Sequence, residues 1–129
     1  MPAPGTPLFV HFWSSGCPLC HEGAPSIHAL RERFPSLAVI AVYQPRPDET
    51  PDRAAIARDA ATLMRIDYPC AVDAAGALAR AFDNPYAPGY YLFDADRRLR
   101  HRQMGNAGFD ALGEILERAA VKASREREA

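Results

Sequence analysis

The sequence has few cysteines, no excess of charge of one sign and no long hydrophobic run. Its 3 cysteines are an odd number in a chain of 129 residues, which does not fit the disulfide framework of a small secreted domain. Its formal net charge is -1, so it lacks the excess of basic residues that nucleic-acid binding and polybasic membrane binding require. We therefore expect partners chosen by shape and chemistry, with no nucleic acid and no membrane among them.

The chain also lacks a basic start and any apolar segment long enough for a signal peptide or a membrane span. With the odd cysteine count, this predicts a cytoplasmic protein, although a trimmed export signal would leave the same pattern. Hydrophobic residues make up 48% of the chain, which is enough for a buried core. We expect one domain over residues 1–129, with an N-terminal arm over 1–7 and a charged, frayed tail over 124–129.

The most informative segment contains two cysteines separated by two residues. It reads Trp13-Ser14-Ser15-Gly16-Cys17-Pro18-Leu19-Cys20 and follows a largely apolar run, where a strand should lead into a helix. The unsatisfied N–H groups of a first helical turn favour a thiolate, so the pKa of Cys17 is expected to fall from about 8.5 to about 7 or below. Cys20, one turn further, can then resolve a mixed disulfide at Cys17. A zinc site would need a second ligand pair, and Cys70 stands alone, so no metal site is predicted.

Hydrophobic spacing predicts the elements around this pair. A strand over 8–13, a helix over 17–34 and a buried strand over 37–43 form a βαβ unit. A second helix is predicted to begin with Thr50 as its N-cap and Pro51 in its first turn. A short strand over 69–73, a short helix over 76–82, a hairpin of strands 89–93 and 97–104 and a helix from about residue 108 complete the chain.

Several short motifs occur in a fixed order along this pattern. They are Phe12-Trp13 before the CxxC pair, Pro25, Tyr68-Pro69, Ala71-Val72-Asp73 and Ala87-Pro88-Gly89-Tyr90-Tyr91-Leu92-Phe93-Asp94. With these motifs in this order, the sequence resembles members of the thioredoxin superfamily. Within that superfamily it is most similar to the TlpA-like and ResA-like branch. The resemblance implies an α/β thioredoxin fold with three layers, α/β/α, in which the central layer is a mixed sheet. The chain would end in a β-hairpin and a helix.

The same resemblance implies a thiol-disulfide oxidoreductase that reduces or exchanges disulfides in other proteins without a bound cofactor. Cys17 would attack and Cys20 would resolve. Trp13, Pro18, Ala87 and Pro88 would form the substrate-docking surface, and the peptide bond before Pro88 would be cis. The implied partners are protein disulfides or dithiols and an unidentified electron donor, and we expect a monomer.

Two histidines near the pair are candidates for tuning the thiol pKa values. His11 precedes Phe12, where thioredoxins carry an acid that accepts a proton from the second cysteine, and an unperturbed histidine changes charge near neutral pH. A histidine satisfied by hydrogen bonds inside the sheet is the alternative. His21 follows Cys17 by one turn and either tunes its thiolate or is simply exposed.

Other interpretations of the motif remain open at this point. Cys17, Cys20 and His21 also spell CxxCH, the pattern of covalent haem attachment, with Met64 or Met104 as a distal ligand in a haem- or metal-binding module. A peroxiredoxin-like thiol peroxidase would use the same fold, with Ser14 three residues before the reactive cysteine. Cys70 is predicted to be a small buried core residue.

Overall fold

Strands and helices alternate along residues 5–128, the part of the chain that the computed structural model describes; for residues 121, 123, 124 and 126–128 it describes the backbone alone. The elements are β1 (Leu8–Trp13), α1 (Pro18–Arg33), β2 (Ala38–Tyr43), α2 (Arg53–Thr62), β3 (Cys70–Val72), α3 (Ala77–Phe82), β4 (Gly89–Phe93), β5 (Leu99–Met104) and α4 (Phe109–Glu128). The first four residues of the predicted N-terminal arm lie outside the described residues. Within the described part, no helix is long and apolar enough to cross a membrane.

The strands form one mixed sheet in the order β3-β2-β1-β4-β5. The strands β1, β2 and β3 are parallel to one another, and β4 and β5 form an antiparallel hairpin that joins the sheet beside β1. Because β1 lies in the centre with helices on both sides, every one of its residues is buried, as the continuous apolar run predicts. The predicted mixed sheet with a closing hairpin and helix is confirmed.

Alternate residues of β1 point to opposite faces of the sheet and contact different helices. On one face, Phe9 packs with Ile27 and Leu30 of α1 and with Leu112 and Leu116 of α4. On the same face, α2 contributes Ile56 and Ala60 to a neighbouring cluster around Trp13 and Cys20. The opposite face is covered by α3, whose Ala79 and Phe82 pack on a cluster that includes Leu8, Val10 and Phe12. These contacts give the predicted three layers.

Two helix ends differ from the sequence prediction. The N-cap of α2 is Asp52 and not Thr50, because the Asp52 carboxylate accepts hydrogen bonds from the backbone N–H groups of both Ala54 and Ala55. The backbone of α4 remains helical to Glu128, through the segment in which a frayed tail was expected. Its alternating Arg and Glu residues have high helix propensity, and no glycine or proline interrupts them.

Candidate active site

A disulfide joins Cys17 and Cys20 across the first turn of α1, with their Cα atoms 5.3 Å apart. Cys17 is the N-cap residue of the helix, in an extended conformation, and its Sγ accepts a hydrogen bond from the backbone N–H of Cys20 at 3.1 Å. Pro18 occupies the first helical position, where its missing N–H costs nothing. The sequence therefore places Cys17 where the helix N-terminus favours a negatively charged sulfur.

The two cysteines differ in their access to solvent. Cys17 is half-buried, whereas Cys20 is only 1% exposed and belongs to the cluster of buried residues around Trp13. Pro18 and Leu19, between them, are exposed. Of the two cysteines, Cys17 is therefore the one accessible from solvent.

The segment before β4 lies beside Cys17. The peptide bond between Ala87 and Pro88 is cis, and Ala87 packs against the same cluster as Cys17. Pro88 is buried, so Ala87 and the neighbouring Tyr86, which is 59% exposed, present the accessible surface. An open groove of about 440 Å³ runs between this segment and the loop after β2, with Cys17, Pro45, Pro47, Tyr86 and Ala87 among its lining residues.

Asn84 holds this segment in place from inside the protein. It is 4% exposed, and its Nδ2 donates to Gln44 Oε1 at 2.7 Å and to the Tyr86 carbonyl at 3.0 Å. Its Oδ1 accepts from the Tyr91 hydroxyl at 2.8 Å. A Cβ atom at Gly89 would lie only 2.0 Å from this Oδ1, so a larger residue there would displace the Asn84 side chain from these hydrogen bonds. The polar network connects the segment before β4 to the residue that follows β2.

Trp13 lies below this surface and not on it. Its side chain is 0% exposed and its ring contacts the Tyr43 ring edge-on, with centroids 4.9 Å apart. The prediction that Trp13 contributes docking surface is therefore wrong. As the last residue of a central strand, it points inward onto α2 and Cys20, because its position in β1 matches that of Phe9 and His11.

Substitutions at Trp13 and Tyr86 should separate support from docking. We expect Trp13→Ala to lower the free energy of unfolding by about 3–5 kcal/mol because it empties a fully buried site. Tyr86→Ala, in the exposed part of the groove, should leave stability within about 0.5 kcal/mol of the wild type and raise KM for a protein disulfide. Urea unfolding and steady-state kinetics measure both. A Trp13→Ala protein with normal stability but a raised KM would show instead that Trp13 contacts the substrate.

His11 is buried in the same layer, with 1% of its surface exposed. Its Nε2 shares a hydrogen bond with the Tyr68 hydroxyl at 2.8 Å, and its ring packs beside Phe9 and Tyr90. Burial and, to a smaller extent, the nearby His28 together lower the pKa of His11 to about 3. His11 is therefore neutral between pH 6 and 8, so the prediction that it changes charge in this range is wrong. The alternative, a histidine satisfied by hydrogen bonding within the fold, agrees with these contacts.

His21 is half-buried on α1, and its Nε2 is buried without a hydrogen-bond partner. Its backbone N–H donates to the Cys17 carbonyl at 3.3 Å. A role for His21 in tuning the Cys17 thiolate stays a prediction. Among the residues that the structure describes, no three His, Cys, Asp or Glu side chains are grouped so that they could hold a metal ion. Met64, considered as a haem ligand, is 1% exposed and packs in the core cluster around Trp13.

Cys70 is exposed, so the prediction that it is a buried core residue is wrong. It begins β3, which has only three residues and forms the edge of the sheet, and therefore none of the described strands covers its outer side. In register, Cys70 lies opposite Ala41 of β2. Partial burial of the sulfur nevertheless raises the pKa of the Cys70 thiol.

Several residues of the site carry no signal in the sequence. Gln44 and Asn84 shape the groove, Arg46 lies against Gly16 beside Cys17, and Tyr68 is the partner of His11. Asn84 and Gln44 are 40 residues apart in the chain, and their contact follows from the sheet order alone. Only the turn residues around Asn84 could have drawn attention to that segment.

Comparison with known proteins agrees with this geometry. A family model described as Redoxin matches residues 3–116. The chain is 39% identical over 117 residues to the thiol-disulfide oxidoreductase YkuV of Bacillus subtilis (strain 168), covering 90% of this chain and 78% of that protein. It is 30% identical over 108 residues to Protein DipZ of Mycobacterium tuberculosis (strain CDC 1551 / Oshkosh), covering 82% of this chain but only 15% of DipZ.

Solved structures show the same architecture. The solution structure of a thioredoxin-like protein in the oxidized form has a TM-score of 0.76 and 37% identity, covering 91% of this chain and 79% of that one. StoA from Bacillus subtilis has a TM-score of 0.67 over 88% of this chain and 84% of its own, and at 20% identity it supports the fold alone. The chain therefore belongs to the Redoxin family, in the TlpA-like and ResA-like branch of the thioredoxin superfamily, and is a thiol-disulfide oxidoreductase with Cys17 and Cys20 as its CxxC pair.

Proposed function

We propose that Cys17 attacks disulfides in partner proteins and that Cys20 resolves the resulting mixed disulfide. The difference in exposure carries this assignment, since Cys17 is accessible at the helix N-terminus and Cys20 is 1% exposed. In the reducing direction, the Cys17 thiolate bonds to one substrate sulfur and the other leaves as a thiolate. Cys20 then displaces the first substrate sulfur, and the enzyme is left with the disulfide seen in the structure.

The groove beside Ala87 is proposed to hold an extended stretch of the substrate. Tyr86 lines it as exposed apolar surface, Pro18 is exposed next to Cys17 in the chain, and the backbone before Pro88 would pair with the substrate. Main-chain pairing tolerates many side chains, so this mode of docking suits an enzyme with several protein substrates. Trp13 and Asn84 would support the groove from below.

We further propose a monomer with one domain over residues 1–129, which a dithiol donor of reducing equivalents returns to the reduced state. The uninterrupted family match over residues 3–116 supports one domain. The cytoplasm is the proposed compartment, because an exposed thiol such as Cys70 persists where thiols are kept reduced. Light scattering and cell fractionation would check the two assignments.

Alkylation of the reduced protein tests the roles of the thiols. With iodoacetamide at pH 6, peptide mapping should show that Cys17 is labelled first. Its sulfur is accessible, and the helix N-terminus favours its thiolate form. Cys70 should follow more slowly, since its raised pKa leaves less thiolate, and the buried Cys20 should be last. The oxidised protein is the control, in which Cys70 alone should react. Labelling of Cys20 as fast as Cys17 would contradict the assignment.

A further inference from the structure

A side chain from the far end of the sequence contacts the backbone between the two cysteines. Asn106 lies in the loop between β5 and α4, and its Nδ2 donates a hydrogen bond to the Leu19 carbonyl at 2.8 Å. Leu19 directly precedes Cys20, so this bond acts on the peptide unit that carries the buried cysteine. The two residues are 87 positions apart in the chain.

Tyr90 orients the Asn106 amide for this contact. The Tyr90 hydroxyl donates to Asn106 Oδ1 at 2.7 Å, which leaves Nδ2 directed at Leu19. Tyr90 itself is 1% exposed, and its ring is held by Phe9 and Phe109 at centroid distances of 5.8 and 4.9 Å. Burial raises the pKa of Tyr90, so the hydroxyl keeps the proton that it donates.

Gly23 makes room for this pair on the buried side of α1. A Cβ atom there would lie 2.5 Å from the Tyr90 hydroxyl oxygen and 2.7 Å from Asn106 Oδ1. Glycine weakens a helix relative to alanine, and the φ of Gly23 is not in the left-handed region that would require glycine. The close approach of Tyr90 and Asn106 is therefore the physical reason for glycine at this position.

We propose that Tyr90 and Asn106 are positioning residues for the resolution step. By fixing the Leu19 peptide, they hold Cys20 Sγ on the line of attack toward Cys17. In that step the Cys20 thiol loses its proton to water and its sulfur bonds to Cys17 Sγ. The bond between Cys17 and the substrate sulfur breaks, and the substrate leaves with the electron pair as a thiolate. The inference rests on the proposed roles of Cys17 and Cys20.

The test follows the reaction of the reduced full-length Cys70→Ser protein with dithiobis(nitrobenzoate), a disulfide whose two halves are released as coloured thiolates. The attack of Cys17 releases the first and resolution by Cys20 releases the second. In Asn106→Ala and in Tyr90→Phe, the first phase should change less than the second, because neither side chain contacts Cys17 and its Sγ keeps the Cys20 N–H as donor. The second phase should slow by between about twofold and tenfold, the loss typical of one hydrogen bond.

Two further variants separate positioning from a general effect on the loop. Gly23→Ala keeps Tyr90 and Asn106 but pushes them apart from α1, so it should also slow the second phase alone. Gln103→Ala removes a different side-chain amide, which donates to the carbonyl of Gly105 at 2.8 Å, next to Asn106 in the loop. This variant should leave the rates of both phases unchanged. Equal second-phase rates in all variants, or an equal loss in Gln103→Ala, would overturn the positioning role. A Cys70→Ser protein that releases only one coloured thiolate would instead overturn the proposed role of Cys20.

Discussion

Replacing Cys17 by serine is expected to abolish catalysed disulfide exchange, and replacing Cys20 is expected to stop the reaction one step later. Without Cys17, the only remaining sulfur of the pair is 1% exposed and cannot meet a substrate disulfide. Without Cys20, the half-buried Cys17 at the helix N-terminus still attacks, but the mixed disulfide has no internal thiol to resolve it. Cys20→Ser should therefore accumulate as a covalent adduct with a disulfide-containing protein, and Cys17→Ser should remain unmodified.

Turnover of a protein disulfide and non-reducing electrophoresis measure these two outcomes. Both variants should be prepared with Cys70→Ser, so that the exposed third thiol forms no adduct of its own. The Cys70→Ser protein with an intact pair is the matched control and should retain the wild-type rate. Similar amounts of adduct in the two variants would show that exposure does not separate the roles of the cysteines.

Acidification should destabilise the protein through His11. Its pKa of about 3 in the folded state is below the ordinary value of 6.5, so between these values the unfolded chain binds a proton that the folded protein does not. The contribution of the neutral His11 to the free energy of unfolding is therefore complete above about pH 6.5 and is lost as the pH falls. The loss between pH 7 and pH 4 should be about 3 kcal/mol in the free energy of unfolding.

A comparison of variants isolates this contribution from that of the carboxylates. Urea unfolding at pH 4, 5 and 7 should show a smaller decline for His11→Asn than for the wild type. His101→Asn is the matched control, since His101 is only half-buried on the edge strand β5 and bonds to Gln103, and it should follow the wild-type decline. If His11→Asn declines as steeply as the wild type, His11 is not held neutral by the fold. If disulfide exchange by a folded His11→Asn protein slows only between pH 6 and 8, His11 would instead be the group that accepts the Cys20 proton.

The sequence was most informative where function depends on local geometry. The position of Cys17 at the start of a helix follows from the apolar run before it and from Pro18, and both features act within a few residues. The predicted helix over 17–34 is found as α1, and Ala24, Ile27 and Leu30, which share one of its faces, are all buried. Periodicity predicts such faces well, since it depends on the geometry of one helix.

Residue type alone did not determine which candidate side chains meet solvent. Trp13 was predicted on the surface and is buried, whereas Cys70 was predicted in the core and is exposed. The reason is the strand order, which places β1 in the centre of the sheet and the short β3 at its edge. A tryptophan beside a reactive cysteine and a lone cysteine in an apolar strand are compatible with either location.

By itself, the sequence determined the order of the elements and the presence of a pair of cysteines at a helix N-terminus. These properties depend on hydrophobic periodicity, on turn residues and on the spacing of two cysteines. Only the tertiary structure decided that His11 is neutral, that Asn84 bonds to the Tyr86 carbonyl and that Asn106 contacts Leu19. Each of these depends on burial or on a contact between distant parts of the chain, and both arise only when the strands pair and the helices pack on them.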